Sequence, residues 1–202
     1  MYQGMRSCLL CILVAAVAAP VAHAAFKPVR GNPANRLASL PIEDYRYDYA
    51  KRCLKRPQRG TLMLQHWLES HAGGSFWGIM RCEKLGRHNY SLHSEGRAID
   101  WHLDVHNSAD RREAKRLINL FLAPDKLGSE HALARRMGIQ ELIWNCRSWW
   151  SGGESMGKYF ACYDSKGHRR HIDDTTAHRN HIHIGLNRPG AKGKTSFWLN
   201  QR

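Results

Sequence analysis

Two short stretches constrain this chain more than any other feature, because they make chemical sense only if the fold brings them together. The first is Ser91-Leu92-His93-Ser94-Glu95-Gly96-Arg97-Ala98-Ile99-Asp100, and the second is His178-Arg179-Asn180-His181-Ile182-His183. If 181–183 is a strand, residues two apart project from one face, so His181 and His183 reach the same point. Asp100 on a neighbouring strand and His93 in the loop before it complete a ligand set of His93, Asp100 and His183. Gly96 and Ala98 are small enough for the chain to turn between the first two ligands and pack closely beneath them. Imidazole and carboxylate suit zinc, and they also serve other divalent metals. Three protein ligands leave a fourth position for water, with His178 and His181 to spare, which is what a hydrolytic metal centre needs. A lone His-x-His says little in a chain with 13 histidines, most of which read as surface groups. Its pairing with His-x6-Asp is uncommon by chance.

The first 24 residues of the 202 read as a secretory signal. Arg6 supplies the positive start, Cys8 to Ala19 is a 12-residue apolar or small run, and Ala22-His23-Ala24 after Pro20 is a small-x-small cleavage site. Twelve residues fall short of the about 20 that span a bilayer as a helix, and no later run comes close. An uncleaved N-terminal anchor is the alternative. Without residues 1–24 the chain keeps 178 residues, enough for one domain with a core. Its formal charge falls from +14 to +13, since Arg6 is the charge lost. Such an excess in an exported protein points to an anionic surface, such as wall polymers or membrane headgroups, unless it serves solubility alone. No helix-turn-helix, zinc-finger or RNA-binding signature speaks for nucleic acid. The expected location is secreted: cell wall, extracellular space or periplasm.

Cys8 and Cys11 leave with the signal, and Cys53, Cys82, Cys146 and Cys162 remain. An even number in an exported chain predicts two disulfides. Three pairings are possible. Cys53–Cys82 with Cys146–Cys162 is favoured because each closes one local segment and neither crosses the metal motifs. A four-cysteine zinc site is the rival, and the lack of any C-x-x-C pair weighs against it.

Periodicity predicts an α+β domain with a small, mostly antiparallel sheet and flanking helices. Residues 25–51 are rich in Pro, Arg and Asn and read as an extended lead-in. A short helix is expected over 61–71, with apolar residues at 62, 64, 67 and 68, stopped by Gly73-Gly74. Phe76 to Cys82 reads as a strand, Arg87 to Tyr90 as a polar loop, and Arg97 to Leu103 as a strand carrying Asp100. The clearest helix is 108–122, capped by Ser108, with Ala114, Leu117, Ile118, Phe121 and Leu122 as its apolar stripe. A helix at 129–137 closed by Gly138 follows, then strands at 139–144, 159–163 and 181–186. Gly152-Gly153 marks a loop, and residues 191–202 form a basic tail. There are no repeats and no second domain.

Ser91-x-His93-x-x-Gly96-x-Ala98-x-Asp100 followed by His181-x-His183 resembles the LAS metallopeptidases, named for lysostaphin, D-alanyl-D-alanine carboxypeptidases and the Sonic hedgehog N-terminal domain. The first motif matches the D-Ala-D-Ala carboxypeptidase branch at each fixed position. The second departs from it, because Asn180 stands where that branch has an acid three positions before the last zinc ligand. His178-x-x-His181-x-His183 is instead similar to the murein endopeptidases of the group, where histidines replace the acid. The resemblance implies a hedgehog/D-Ala-D-Ala-peptidase-like domain within residues 52–190, with one zinc held by His93, Asp100 and His183. It implies that His181 is the general base, taking a proton from the attacking water and passing it to the leaving amine. His178 would steady the tetrahedral oxyanion or orient the water. Arg81, at the end of the strand before the first motif, would bind the substrate carbonyl or carboxylate, with Arg97 as a second choice.

Trp144-Asn-Cys-Arg-Ser-Trp149-Trp150-Ser-Gly-Gly adds aromatic rings near the second half of the chain. Trp144 reads as core. Trp149 and Trp150 either pack inside or wall a groove in which they stack on sugar rings. Asp173 and Asp174 either accept the free N–H of a ligating histidine or cap a turn. The function expected is an exported zinc metallopeptidase that hydrolyses peptide bonds of peptidoglycan, as a D,D-carboxypeptidase or a murein endopeptidase. The first rival is a zinc-containing cell-wall-binding module without catalysis. The second is a basic, disulfide-stapled wall-binding protein whose histidines only buffer charge.

Overall fold

His181-Ile182-His183-Ile184-Gly185-Leu186 is a strand whose two faces have different chemistry. Its even-numbered residues are all aliphatic, and its odd-numbered ones are imidazoles and a glycine. The computed structural model describes residues 26–44, 46–86 and 89–201; the signal-like segment lies outside the described residues. The main strands are β1 (Ser75–Gly78), β4 (Ala98–His102), β5 (Ile139–Trp144), β6 (Arg147–Trp150), β7 (Gly157–Lys158) and β8 (His181–Leu186). They form one antiparallel sheet in the order β1-β4-β8-β5-β6-β7. A separate two-stranded hairpin pairs β2 (Lys84–Gly86) with β3 (Asn89–Tyr90). The helices are α1 (Arg59–His71), α2 (Ser108–Leu122), α3 (Ala132–Met137) and the short α4 (Arg188–Ala191) and α5 (Ser196–Leu199). The fold is α+β, as the residue pattern predicts.

β8 lies at the centre of the sheet, with Asp100↔His183 and Ile99↔Ile184 opposite one another across the β4 pairing. Ile99 and Trp101 from β4, Ile182, Ile184 and Leu186 from β8 and Leu142 from β5 point into the main core. Leu64 and Leu68 of α1, Leu117 and Phe121 of α2 and Leu133 of α3 cover that face. Each such aliphatic side chain contributes about 1.5–3 kcal/mol by leaving water. The opposite face carries Ala98, Asp100, His181, His183 and Gly185, all buried. Leu92, Ala98 and Ala50 make a small second cluster there, with Tyr90 packed against it. Gly96 turns the chain between the 3-10 turn Leu92–Glu95 and β4 in the left-handed region, at φ 62°. A Cβ on it would lie 2.8 Å from the Arg56 carbonyl and from the Pro57 Cα, so the motif glycine meets both a conformational and a steric requirement.

Several local expectations change in the folded chain. The strand expected over 76–82 stops at Gly78, where its pairing to β4 shifts register. The polar loop expected at 87–90 includes β3, because Asn89 and Tyr90 pair back onto β2. Asn107, not Ser108, caps α2: its side chain accepts from the N–H groups of Ala109 and Asp110. The strand expected over 159–163 is a 3-10 turn, Phe160–Cys162, and the stretch 147–150 with its two tryptophans is itself strand β6. The lead-in contains a 3-10 turn, Pro33–Leu37, and is tied to the domain at its end: the Asp48 N–H donates to Gln140 Oε1, and Ala50 bridges to Tyr90. Phe197 and Trp198 of the basic tail are buried, and Trp198 Nε1 donates to the Met137 carbonyl at 2.9 Å.

The cysteines pair as Cys53–Cys82 and Cys146–Cys162, with Cα separations of 5.5 and 5.6 Å. The first ties the segment before α1 to the chain leaving β1. The second ties the β5–β6 turn to the 3-10 turn after β7, beside Ala177. Two disulfides fit an extracytoplasmic protein. Among the described residues no helix is long and apolar enough to cross a membrane. Replacing Cys146 and Cys162 together by serine is expected to lower stability by about 3 kcal/mol, since it opens a loop of sequence separation 16. Urea unfolding of the oxidised protein and the double variant measures this.

Candidate metal centre

His93, Asp100 and His183 converge although they come from three different elements. His93 sits on the 3-10 turn before β4, which Ser91 Oγ starts by accepting from the His93 N–H. Asp100 and His183 are direct cross-strand neighbours on β4 and β8. His93 Nε2 lies 3.0 Å from His183 Nδ1, and both nitrogens lie 3.1 Å from Asp100 Oδ1. All three residues are buried, with exposures of 1%, 5% and 6% for His93, Asp100 and His183. Ligands about 2.0–2.1 Å from a tetrahedral metal stand roughly 3.3 Å apart, so this triangle is close to one face of that figure. His93 Nδ1 is 2.7 Å from the Ile79 carbonyl, which can only accept. Nδ1 therefore carries the proton, and the Nε2 lone pair faces the centre. Two imidazole nitrogens and a carboxylate oxygen this close, away from water, need a shared cation or proton. The group can hold a metal ion.

The surrounding charges set the protonation of the site. Burial pushes the Asp100 carboxyl up, but its close contacts with His183 and His93 outweigh it and hold the group far below the usual carboxylate range. Burial would lower His183, yet its contacts with the Asp100 and Glu141 carboxylates raise it to about 9. Burial lowers His181 to about 4, and burial together with the neighbouring His183 and His181 lowers His178 to about 2. At neutral pH His178 and His181 are therefore uncharged. The His181 ring, 3% exposed, has Nε2 3.6 Å from Asp100 Oδ1, and its Nδ1 is 2.9 Å from Asn180 Oδ1. With Asn180 accepting from Nδ1–H, Nε2 is left unprotonated on the side that faces Asp100. His178 adopts the left-handed conformation at φ 51°, with its ring centroid 4.6 Å from that of His181 and 5.8 Å from that of His183.

The family model of the VldE C-terminal domain matches residues 55–182. The chain belongs to the VldE C-terminal domain family. No curated protein and no solved structure matches it. The VldE match takes in His93, Asp100, His178 and His181 and stops one residue before His183.

In this VldE-type domain the site opens into a cleft of about 530 Å³, lined in part by Tyr47, Arg81, Glu141, Trp150, Tyr159 and His178. Trp150 is 42% exposed at its wall, whereas Trp149 is buried in the core and donates from Nε1 to the Gly153 carbonyl. Of the two rings, Trp150 is the one that walls the cleft. Trp144 packs in the core. On the other side Trp77 places its ring 5.1 Å from the His181 ring. Arg81 lies beyond the end of β1, donates from Nη1 to Asp100 Oδ2 at 3.1 Å and from Nε to Glu83, and lines the cleft.

Other expectations do not survive the geometry. Arg97 cannot meet a substrate: it is 2% exposed and donates to Glu95 Oε2, the Leu186 carbonyl and the Asp48 carbonyl. Asp173 caps its own turn through Thr176, and Asp174 pairs with Arg179 and His106, so neither supports a ligating histidine. The residue beside His183 is Glu141, whose Oε2 lies 3.7 Å from His183 Nε2. Sequence reasoning passed over it, although an acid inside the apolar strand Ile139–Trp144 is itself a signal. Replacing Glu95 by Ala would leave Arg97 buried without its carboxylate. It is expected to cost about 3–5 kcal/mol in denaturant unfolding, which a surface pair would not.

Proposed function

We propose that this chain is an exported zinc metallopeptidase that hydrolyses peptide bonds of peptidoglycan, as a D,D-carboxypeptidase or murein endopeptidase. One observation carries the reading: a buried His93–Asp100–His183 triangle lies beside an uncharged His181 whose free nitrogen faces the same point. The substrate class comes from the resemblance to the LAS metallopeptidases, and the charge of +13 after signal removal suits an anionic wall. Two imidazoles and one carboxylate are a zinc donor set, and His93, Asp100 and His183 would hold the ion. Zinc supplies a more acidic water and polarises the scissile carbonyl.

The chain's own residues do the rest. His181 Nε2 takes a proton from the attacking water as its oxygen bonds to the carbonyl carbon. The same nitrogen returns that proton to the amine as the C–N bond breaks, so water is added across the amide. His178, with its ring tilted against that of His181, borders the space where the oxyanion develops. Arg81 keeps one face on Asp100 and offers its remaining N–H groups to the substrate carbonyl or carboxylate. The exposed ring of Trp150 walls the cleft for the flanking part of the substrate.

Elemental mass spectrometry on protein made in an oxidising compartment tests the metal. About one zinc per chain in the wild type and none in His183→Ala is expected. No zinc in either, with both folded, overturns the reading and leaves a basic wall-binding protein. His181→Ala is expected to keep its zinc and lose about 10²- to 10⁴-fold in muropeptide hydrolysis. Full activity in that variant removes His181 as the base, and zinc without activity in the wild type leaves a metal-bearing binding module.

A further inference from the structure

We infer that Glu141 and Tyr47 are positioning residues for the metal centre, so that the lead-in segment before residue 52 is part of the site. The observations come from three elements. Glu141 on β5 lies opposite Gly185 on β8, two residues beyond His183. A Cβ on Gly185 would come within 3.2 Å of Glu141 Cβ and 3.4 Å of Glu141 Oε2, and within 2.4 Å of Leu92 Cδ1. The missing side chain at 185 is therefore the space through which the Glu141 carboxylate leans towards His183. There Oε2 faces His183 Nε2 at 3.7 Å, and the same oxygen accepts from the Tyr47 hydroxyl at 3.0 Å.

A carboxylate at that distance favours a proton on Nε2 by charge, so that Nδ1 is the nitrogen left to give its lone pair to an ion beside His93 and Asp100. The Tyr47 hydroxyl in turn fixes the carboxylate. Neighbouring contacts brace Tyr47: the Asp48 N–H donates to Gln140 Oε1, the Asp48 carbonyl accepts from Arg97, and the Asp48 carboxylate accepts from the Arg188 N–H. The lead-in is thus joined to β5, to the first motif and to the chain after β8. The line Tyr47–Glu141–His183 has the form of the carboxylate–histidine–metal supports common at metal centres.

This inference rests on the zinc reading above, and zinc affinity by chelator competition separates the two. The full mature chain would be compared with Glu141→Ala, Glu141→Gln and Tyr47→Phe, with thermal melting of each metal-free protein alongside. Glu141→Ala is expected to weaken zinc binding about 10- to 100-fold. Tyr47→Phe should weaken it less, Glu141→Gln should recover part of the loss, and the metal-free melting temperatures should stay together. Wild-type affinity in all three variants overturns the inference and leaves the zinc site standing. So does a loss that merely follows a fall in metal-free stability, because Glu141 then serves the fold. A wild type that binds no zinc overturns both.

Discussion

The antiparallel pairing of β4 with β8 is the constraint on which the site depends. Asp100 faces His183 across that ladder, and the register puts Ala98 opposite Gly185 and His102 opposite His181. Because side chains alternate along a strand, a slip of one residue would turn Asp100 away from both histidines and push Ile182 and Ile184 towards the cleft. The aliphatic face of β8 therefore protects the chemistry of the other face. Ile99, Trp101, Ile182, Ile184 and Leu186 can bury against α1, α2 and α3 in one register only, and that register aligns the ligands.

A central strand buried on both faces normally carries apolar residues throughout. Here one face is polar, and groups around that face hold its side chains. His93 is held by the Ile79 carbonyl, Asp100 by Arg81, and the far nitrogen of His183 faces Glu141. Burial raises the cost of any mismatch among these groups, which is why small residues cluster around them. Gly96 admits the backbone of residues 56 and 57, Ala98 fits beneath Leu92, and Gly185 leaves room for Glu141.

The two disulfides and the ends of the chain serve the same arrangement. Cys146–Cys162 braces the turn whose neighbouring backbone carries His178, since the Asn145 N–H donates to the His178 carbonyl. The lead-in borders the cleft through Tyr47 and Tyr49, and the C-terminal segment closes the opposite side of the molecule through Phe197 and Trp198. Segments that look like linkers by composition thus carry contacts the domain uses.

Much of this was legible in the residues alone. The helix expected over 61–71, the one over 108–122 and the strands at 97–103, 139–144 and 181–186 follow from local periods, and the residue types of the two motifs offer His93, Asp100 and His183 as ligands. So does the favoured cysteine pairing, where each bridge closes one local segment. Other features depended on distance in space. Arg97 sits inside the first motif and looks available, yet Glu95, Asp48 and Leu186 consume its donors. Asp173 and Asp174 lie close to the second motif in sequence but are turned onto their own loop, while Glu141, about forty residues from either motif, is the acid beside His183. Sequence determined which atoms are able to bind a metal, because ligand chemistry belongs to the residue. Tertiary structure decided which groups support or neutralise those atoms, because a buried charge finds its partner by proximity, and proximity exists only once the strands have paired.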